Sequence, residues 1–158
     1  MNNLHAYWRI KYIQDKKFSK KYVFSEIPNM KDERSALLLY RSSYSYIVIN
    51  RYPYNAGHLL VIPYREVSTL KKLSFKERSD FFETIVKGQD ILEKSIHPDG
   101  FNIGFNFGAA AGAGIPNHMH GHIVPRWNGD TNFMPILTNT KVLPEALDSL
   151  WLHLRKYI

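Results

Sequence analysis

The chain has 158 residues, 44% of them apolar and 22% charged, enough for one domain with a packed core and too few for two. It contains no cysteine, which excludes disulfides, thiolate metal sites and cysteine nucleophiles and fits a reducing compartment. The net charge of +7 is carried by scattered lysines rather than one block, so it reads as a solvated basic surface plus a local phosphate site.

In chain order, the opening MNNLHAYWRIKYIQDKK lacks the apolar core and small-residue cleavage site of a secretory signal. No apolar run is long enough to span a membrane, and the cytoplasm is the expected location. Residues 1–35 read as a mostly irregular arm with one short strand or helix. Residues 44–63, YSYIVINRYPYNAGHLLVIP, hold two β-branched and aromatic runs around a turn-rich segment, which predicts an antiparallel pair. In residues 74–96, Ser74 and Glu77 form a capping-box pattern, and Phe75, Phe81, Phe82, Ile85, Gln89, Leu92 and Ile96 fall near one helical stripe. His97-Pro98-Asp99-Gly100 stops that helix. A strand over 101–107, a glycine- and alanine-rich loop and a strand over 118–125 ended by Pro125 follow. A terminal helix over 144–157, with Pro144 in its first turn, closes the chain. The pattern predicts a single α+β domain over 1–158, with a core over 44–136: one antiparallel β-sheet meander, a long central helix and a C-terminal helix.

His118, His120 and His122 alternate. On a strand they share one face, about 6.6 Å apart, while Met119, Gly121 and Ile123 face the other way. Incidental placement is a weak account of three imidazoles in register. A zinc site could use two of the row plus His58, although the outer two stand about 13 Å apart at the backbone. Neutral imidazole is also a nucleophile toward phosphorus near pH 7, with flanking histidines to orient it and donate to phosphate oxygens. The preceding Gly108, Gly112 and Gly114 would let main-chain N–H groups approach an anion.

These residues resemble the histidine triad family of nucleotidyl hydrolases and transferases, whose signature His-x-His-x-His plus two apolar residues is matched by HMHGHIV, His118 to Val124. INRYPYNAGHLLVIP resembles the family's nucleoside-binding hairpin, and FNFGAAAGAGIPNH its phosphate loop. PRWNGDTNFMP and LHAYWRIKYI are similar to a bacterial branch related to diadenosine polyphosphate hydrolases and phosphorylases. The likeness runs over roughly residues 4 to 136.

The resemblance implies a histidine-triad-like fold and a set of roles. His120 attacks the α-phosphorus and carries a nucleotidyl-histidine intermediate. His122 holds a phosphate oxygen, His118 orients the nucleophile and assists the leaving group, and His58 is the additional histidine on the neighbouring strand. Asn50 matches a ribose-binding position and Asn106 a phosphate contact. Val48, Ile49, Leu60 and Trp8 or Tyr7 are candidates to lie against the base. Gly114 and Ile115 stand where many members carry a polar side chain, so the donors of Gly112 and Gly114 would replace it. Arg126 either pairs with polyphosphate or bridges to Asp130, and Trp127 reads as packing or an interface residue. The implied reaction is cleavage of a dinucleoside polyphosphate such as diadenosine tetraphosphate, released by water or, as a phosphorylase, by inorganic phosphate. Nucleoside phosphoramidase action and nucleotide binding with little turnover are the other readings. No cofactor is obligatory, with Mg2+ serving as a substrate counterion; the expected partners are a nucleotide substrate and a second copy in a homodimer, without membrane or nucleic acid.

Overall fold

The computed structural model describes residues 24–130 and 146–158. Five strands form one antiparallel sheet: β1 (Leu38–Arg41), β2 (Ser45–Ile49), β3 (Leu59–Pro63), β4 (Gly100–Phe105) and β5 (Gly121–Arg126). Helix α1 spans Phe75–Ile96 and helix α2 spans Leu147–Leu154, with a 3-10 turn at Arg155–Tyr157. The predicted residues Tyr7, Trp8 and Pro144 and the end of the expected core at 131–136 lie outside the described residues.

The strand order is β1-β2-β3-β5-β4, so β5 rather than β4 pairs with β3. The hairpins are read correctly as local pairs, but a simple meander is not what they build. Helix α1 carries the chain from β3 to the far edge, and β5 returns between them. Strand β1 has no alternating pattern to announce it; its four residues follow Leu37, which adopts a left-handed φ of 56°, and a register shift interrupts its pairing with β2.

Alternation gives the sheet two different faces. One face packs α1: Ile47, Ile49, Leu59, Val61 and Ile123 meet Phe81, Ile85, Ile91 and Leu92. Contact is close at Gly88, where a Cβ would sit 2.7 Å from Ile123 Cδ1. The stripe on α1 therefore runs through Phe81, Thr84, Ile85, Gly88, Ile91, Leu92 and Ser95. Phe75 and Phe82, expected on it, are 79% and 48% exposed, because they stand at the helix start and one step off the buried face. The opposite face carries Leu38, Tyr46, Val48, Leu60 and Ile62 beneath Phe24 and Ile27.

The start of α1 is specified by a capping box, and α2 is tied to β1 by side-chain hydrogen bonds. Ser74 Oγ accepts from Glu77 N, and the Glu77 carboxylate accepts from Ser74 N at 2.6 Å. Arg65 donates to both Glu77 oxygens at 2.8 Å, and this pairing holds the Glu77 carboxyl down at about 2. Trp151 Nε1 and Arg155 Nη1, from the C-terminal turns, donate to Leu38 O and Leu39 O, so the outer edge of β1 is covered by side chains.

Ser74→Ala removes one side of the capping box and is expected to lower the unfolding free energy by about 1 kcal/mol, read from urea denaturation at pH 7.

Candidate active site

The triad enters the sheet rather than lying wholly on it. A strand was expected from residue 118, yet β5 begins at Gly121. The two earlier histidines are anchored elsewhere: His118 Nε2 donates to Pro63 O at 2.8 Å, and Met119 N donates to Val67 O at 2.7 Å. Strand β5 also runs through Pro125 to Arg126. Its pairing with β3 ends at Ile123, and Pro125, whose carbonyl accepts from Asn55 Nδ2, faces that unpaired side, so its missing N–H costs the sheet nothing.

The face assignment holds across the site. Met119 and Ile123 enter the helix-side core, and His122 lies opposite Leu60 on the other face. The three imidazoles are packed: His118 and His120 are 1% and 7% exposed, and the His120 and His122 rings are 5.0 Å apart. Phe24 stands edge-on to His118 at 5.6 Å and to His120 at 5.0 Å. Its place is fixed by Tyr46, whose buried hydroxyl donates to Phe24 O at 2.5 Å.

Hydrogen bonds to main-chain groups set where the ring protons reside. His120 Nδ1 lies 3.0 Å from His118 O. A carbonyl accepts only, so Nδ1 carries the proton and Nε2 keeps its lone pair in the neutral ring. By the same logic His118 protonates Nε2 toward Pro63 O, and its buried Nδ1 has no hydrogen-bond partner among the described residues. Burial pushes the His118 imidazole below its ordinary value, opposed by the bond to Pro63 O and the charge of Glu66. The His118 carbonyl thus orients the His120 ring. The ring's N–H is occupied by Pro63 and is not available to a leaving group in this arrangement.

His58 is fully buried behind His122, with His58 Nε2 3.0 Å from His122 Nδ1. The turn that delivers it needs Gly57, whose φ is 75° and where a Cβ would lie 2.6 Å from Ile96 Cδ1. Asn50 sits beside it at the end of β2: its N–H donates to His58 O at 2.8 Å, and its Nδ2 is 3.1 Å from His58 Nδ1. Asn106 follows β4 and is half-buried; Gly104, paired with His122, leaves open space where a side chain would stand.

Several expected contacts are placed differently. Ile49 faces α1 and cannot share a wall with Val48, because adjacent strand residues point to opposite faces. Val48 and Leu60 do share the histidine face, buried under Phe24 and Ile27. The N–H of Gly112, at φ 84°, donates to Ala109 O at 2.9 Å and closes the loop's own 3-10 turn. Gly114 is exposed, and Ile115 is half-buried against the Phe24 cluster. Of the two readings of Arg126, the bridge to Asp130 is the one found: the guanidinium is engaged by Asp130 at 2.6 and 2.8 Å and by Asn102 at 2.7 Å, so it shapes the turn. Trp127 likewise packs there, donating to His97 O at 3.3 Å. Phe24, the Pro63 carbonyl and Tyr54 were not singled out in the sequence; of these, Tyr54 had a signal, its place in the turn four residues before His58. Among the described residues no group of three or more His, Asp or Glu side chains is disposed to hold a metal ion.

The profile of the HIT domain matches residues 31–129, more than half of the chain. The chain belongs to the HIT domain family. It is 43% identical over 124 residues to a Mycobacterium tuberculosis protein named AP-4-A phosphorylase, covering 78% of this chain and 63% of that one. A Schizosaccharomyces pombe protein named bis(5'-nucleosyl)-tetraphosphatase (asymmetrical) is 37% identical over 111 residues, 70% of this chain and 58% of its own length. The HIT chain described here thus spans about six tenths of these relatives. In fold it is similar to a histidine triad nucleotide-binding protein of Sulfolobus tokodaii, with a TM-score of 0.67, 23% identity, and 85% and 89% of the two chains covered.

Because burial keeps His118 neutral, the unfolded chain binds a proton there that the folded chain resists. Stability from this group is present above its ordinary value of 6.5 and is lost as pH falls below it. The urea midpoint is expected to drop between pH 7 and pH 5, and to drop less in His118→Gln.

Proposed function

We propose that this HIT protein cleaves dinucleoside polyphosphates, diadenosine tetraphosphate being the representative substrate, at the α-phosphorus. The observation that carries the reading is the orientation of His120. Its Nδ1–H is held by the His118 carbonyl, which leaves the Nε2 lone pair for attack. The Nε2–phosphorus bond forms as the bridging P–O bond breaks. The electrons of that bond leave with ATP, and AMP stays on His120. Inorganic phosphate then takes the AMP to give ADP, or water takes it to give AMP. The 43%-identical relative's name supports phosphate as the acceptor, and the 37%-identical relative's name supports water; we favour phosphate.

Asn50 would bind ribose hydroxyls, His122 and Asn106 phosphate oxygens, and Mg2+ would serve as counterion of the polyphosphate. No helix among the described residues is long and apolar enough to cross a membrane. A nucleotide substrate and a cysteine-free chain support a cytoplasmic setting. The homodimer reading is supported by the asymmetry of the sheet. The β1 edge is covered by α2, whereas the β4 edge stands beside exposed Ile103, Phe107, Phe82 and Val86.

Diadenosine tetraphosphate incubated with the protein, with and without inorganic phosphate, is expected to yield ATP plus ADP only when phosphate is present. ATP plus AMP without phosphate would make it a hydrolase instead. His120→Ala should lower either rate by at least about 10³-fold. No product in any condition, or full activity in that variant, would overturn the reading.

A further inference from the structure

Each ring nitrogen of His58 has a defined partner, although His58 lies behind His122 and not beside the nucleophile. His58 Nδ1 is 3.0 Å from the main-chain N of Tyr54. A main-chain N–H can only donate, so Nδ1 is an acceptor. The Asn50 amide agrees: its Oδ1 is taken by Tyr52 N–H at 3.0 Å, which turns the NH2 group toward the same nitrogen, 3.1 Å away. A neutral imidazole with an accepting Nδ1 carries its proton on Nε2, and that atom lies 3.0 Å from His122 Nδ1. His58 therefore donates, His122 Nδ1 accepts, and the proton of a neutral His122 is placed on Nε2. The Tyr54 ring touches both imidazoles, 4.7 Å from His58 and stacked on His122 at 5.6 Å with 21° between planes.

We infer that Tyr54 is a positioning residue of this site: its main-chain N–H fixes the tautomer of His58 and through it that of His122, while its ring fixes the plane of His122. The inference rests on the proposed reaction, in which His122 Nε2–H donates to a phosphoryl oxygen. Without the Tyr54 donor, the hold of the Asn50 NH2 group at 3.1 Å alone would let His58 carry its proton on Nδ1 for part of the time. His122 would then present a lone pair at Nε2 for part of the time, which repels phosphate where an N–H attracts it. Packing alone would need a ring at position 54 but would be indifferent to its N–H.

The test uses the full chain. Nitrogen-15 spectra of the imidazoles, recorded without substrate, should show His58 and His122 both protonated on Nε2. Replacing the Tyr54 main-chain N–H by an ester oxygen, through the α-hydroxy analogue of tyrosine, should mix the His58 tautomers. It should lower kcat for diadenosine tetraphosphate about 10²-fold with KM little changed. Tyr54→Ala should lower kcat about tenfold, and Tyr54→Phe should recover most of it. Protonation of His58 on Nδ1 in the unaltered protein would overturn the proposal, as would an ester variant with unchanged tautomers and kcat. If the ester variant fails to fold, the spectrum of the unaltered protein decides. The spectra need no turnover, so an inactive parent would sink the proposed reaction and leave the tautomer claim to stand or fall separately.

Discussion

A single hydrogen bond, from His120 Nδ1 to the carbonyl of His118, decides which nitrogen of the neutral His120 ring carries the proton. An unrestrained imidazole presents either nitrogen, with the proton on either one. Here a main-chain oxygen two residues away holds one nitrogen protonated, so the other keeps its lone pair. The bond is useful only if the carbonyl is itself fixed. Residues 118–120 are tied to the chain after β3 by two bonds, one from the His118 ring to Pro63 O and one from Met119 N to Val67 O. Below them Met119 and Ile123 are held in the core against α1. The rigidity of the His120 ring is therefore borrowed from the packing of the opposite face.

The surrounding shell works in the same way. Tyr46 holds Phe24 by its hydroxyl, and Phe24 closes over His118 and His120. Asn55 donates to both Pro125 O and Asp130, tying the turn that delivers His58 to the end of β5. Arg126 braces that same carboxylate. Arg126 is thus a strut for the loop beside it, because Asp130 lies four residues away and matches both arms of the guanidinium.

Much of this was legible in the residues. Local signals carried the elements: the capping box at Ser74 and Glu77, the β2–β3 pair and the stop at His97 all stand where periodicity puts them. The face of the triad also followed, since Met119 and Ile123 fall on the apolar side. What failed was non-local. The insertion of β5 between β3 and β4 depends on the crossover through α1, which no short pattern encodes. Strand β1 was missed because four residues after a left-handed Leu37 give no clear alternation. Ile49 was grouped with Val48 by proximity in sequence, although alternation separates them. The Tyr54 and His118 contacts run through main-chain atoms, and a sequence shows side chains only.

If His120 takes the nucleotidyl group through Nε2, the adduct itself carries the proof. The direct measurement is rapid quenching of the protein with diadenosine tetraphosphate into alkali, followed by peptide mass spectrometry and phosphorus-31 spectroscopy of the adduct. One AMP group is expected, on Nε2 of His120. An adduct on His118 or His122, or on Nδ1 of His120, would contradict it.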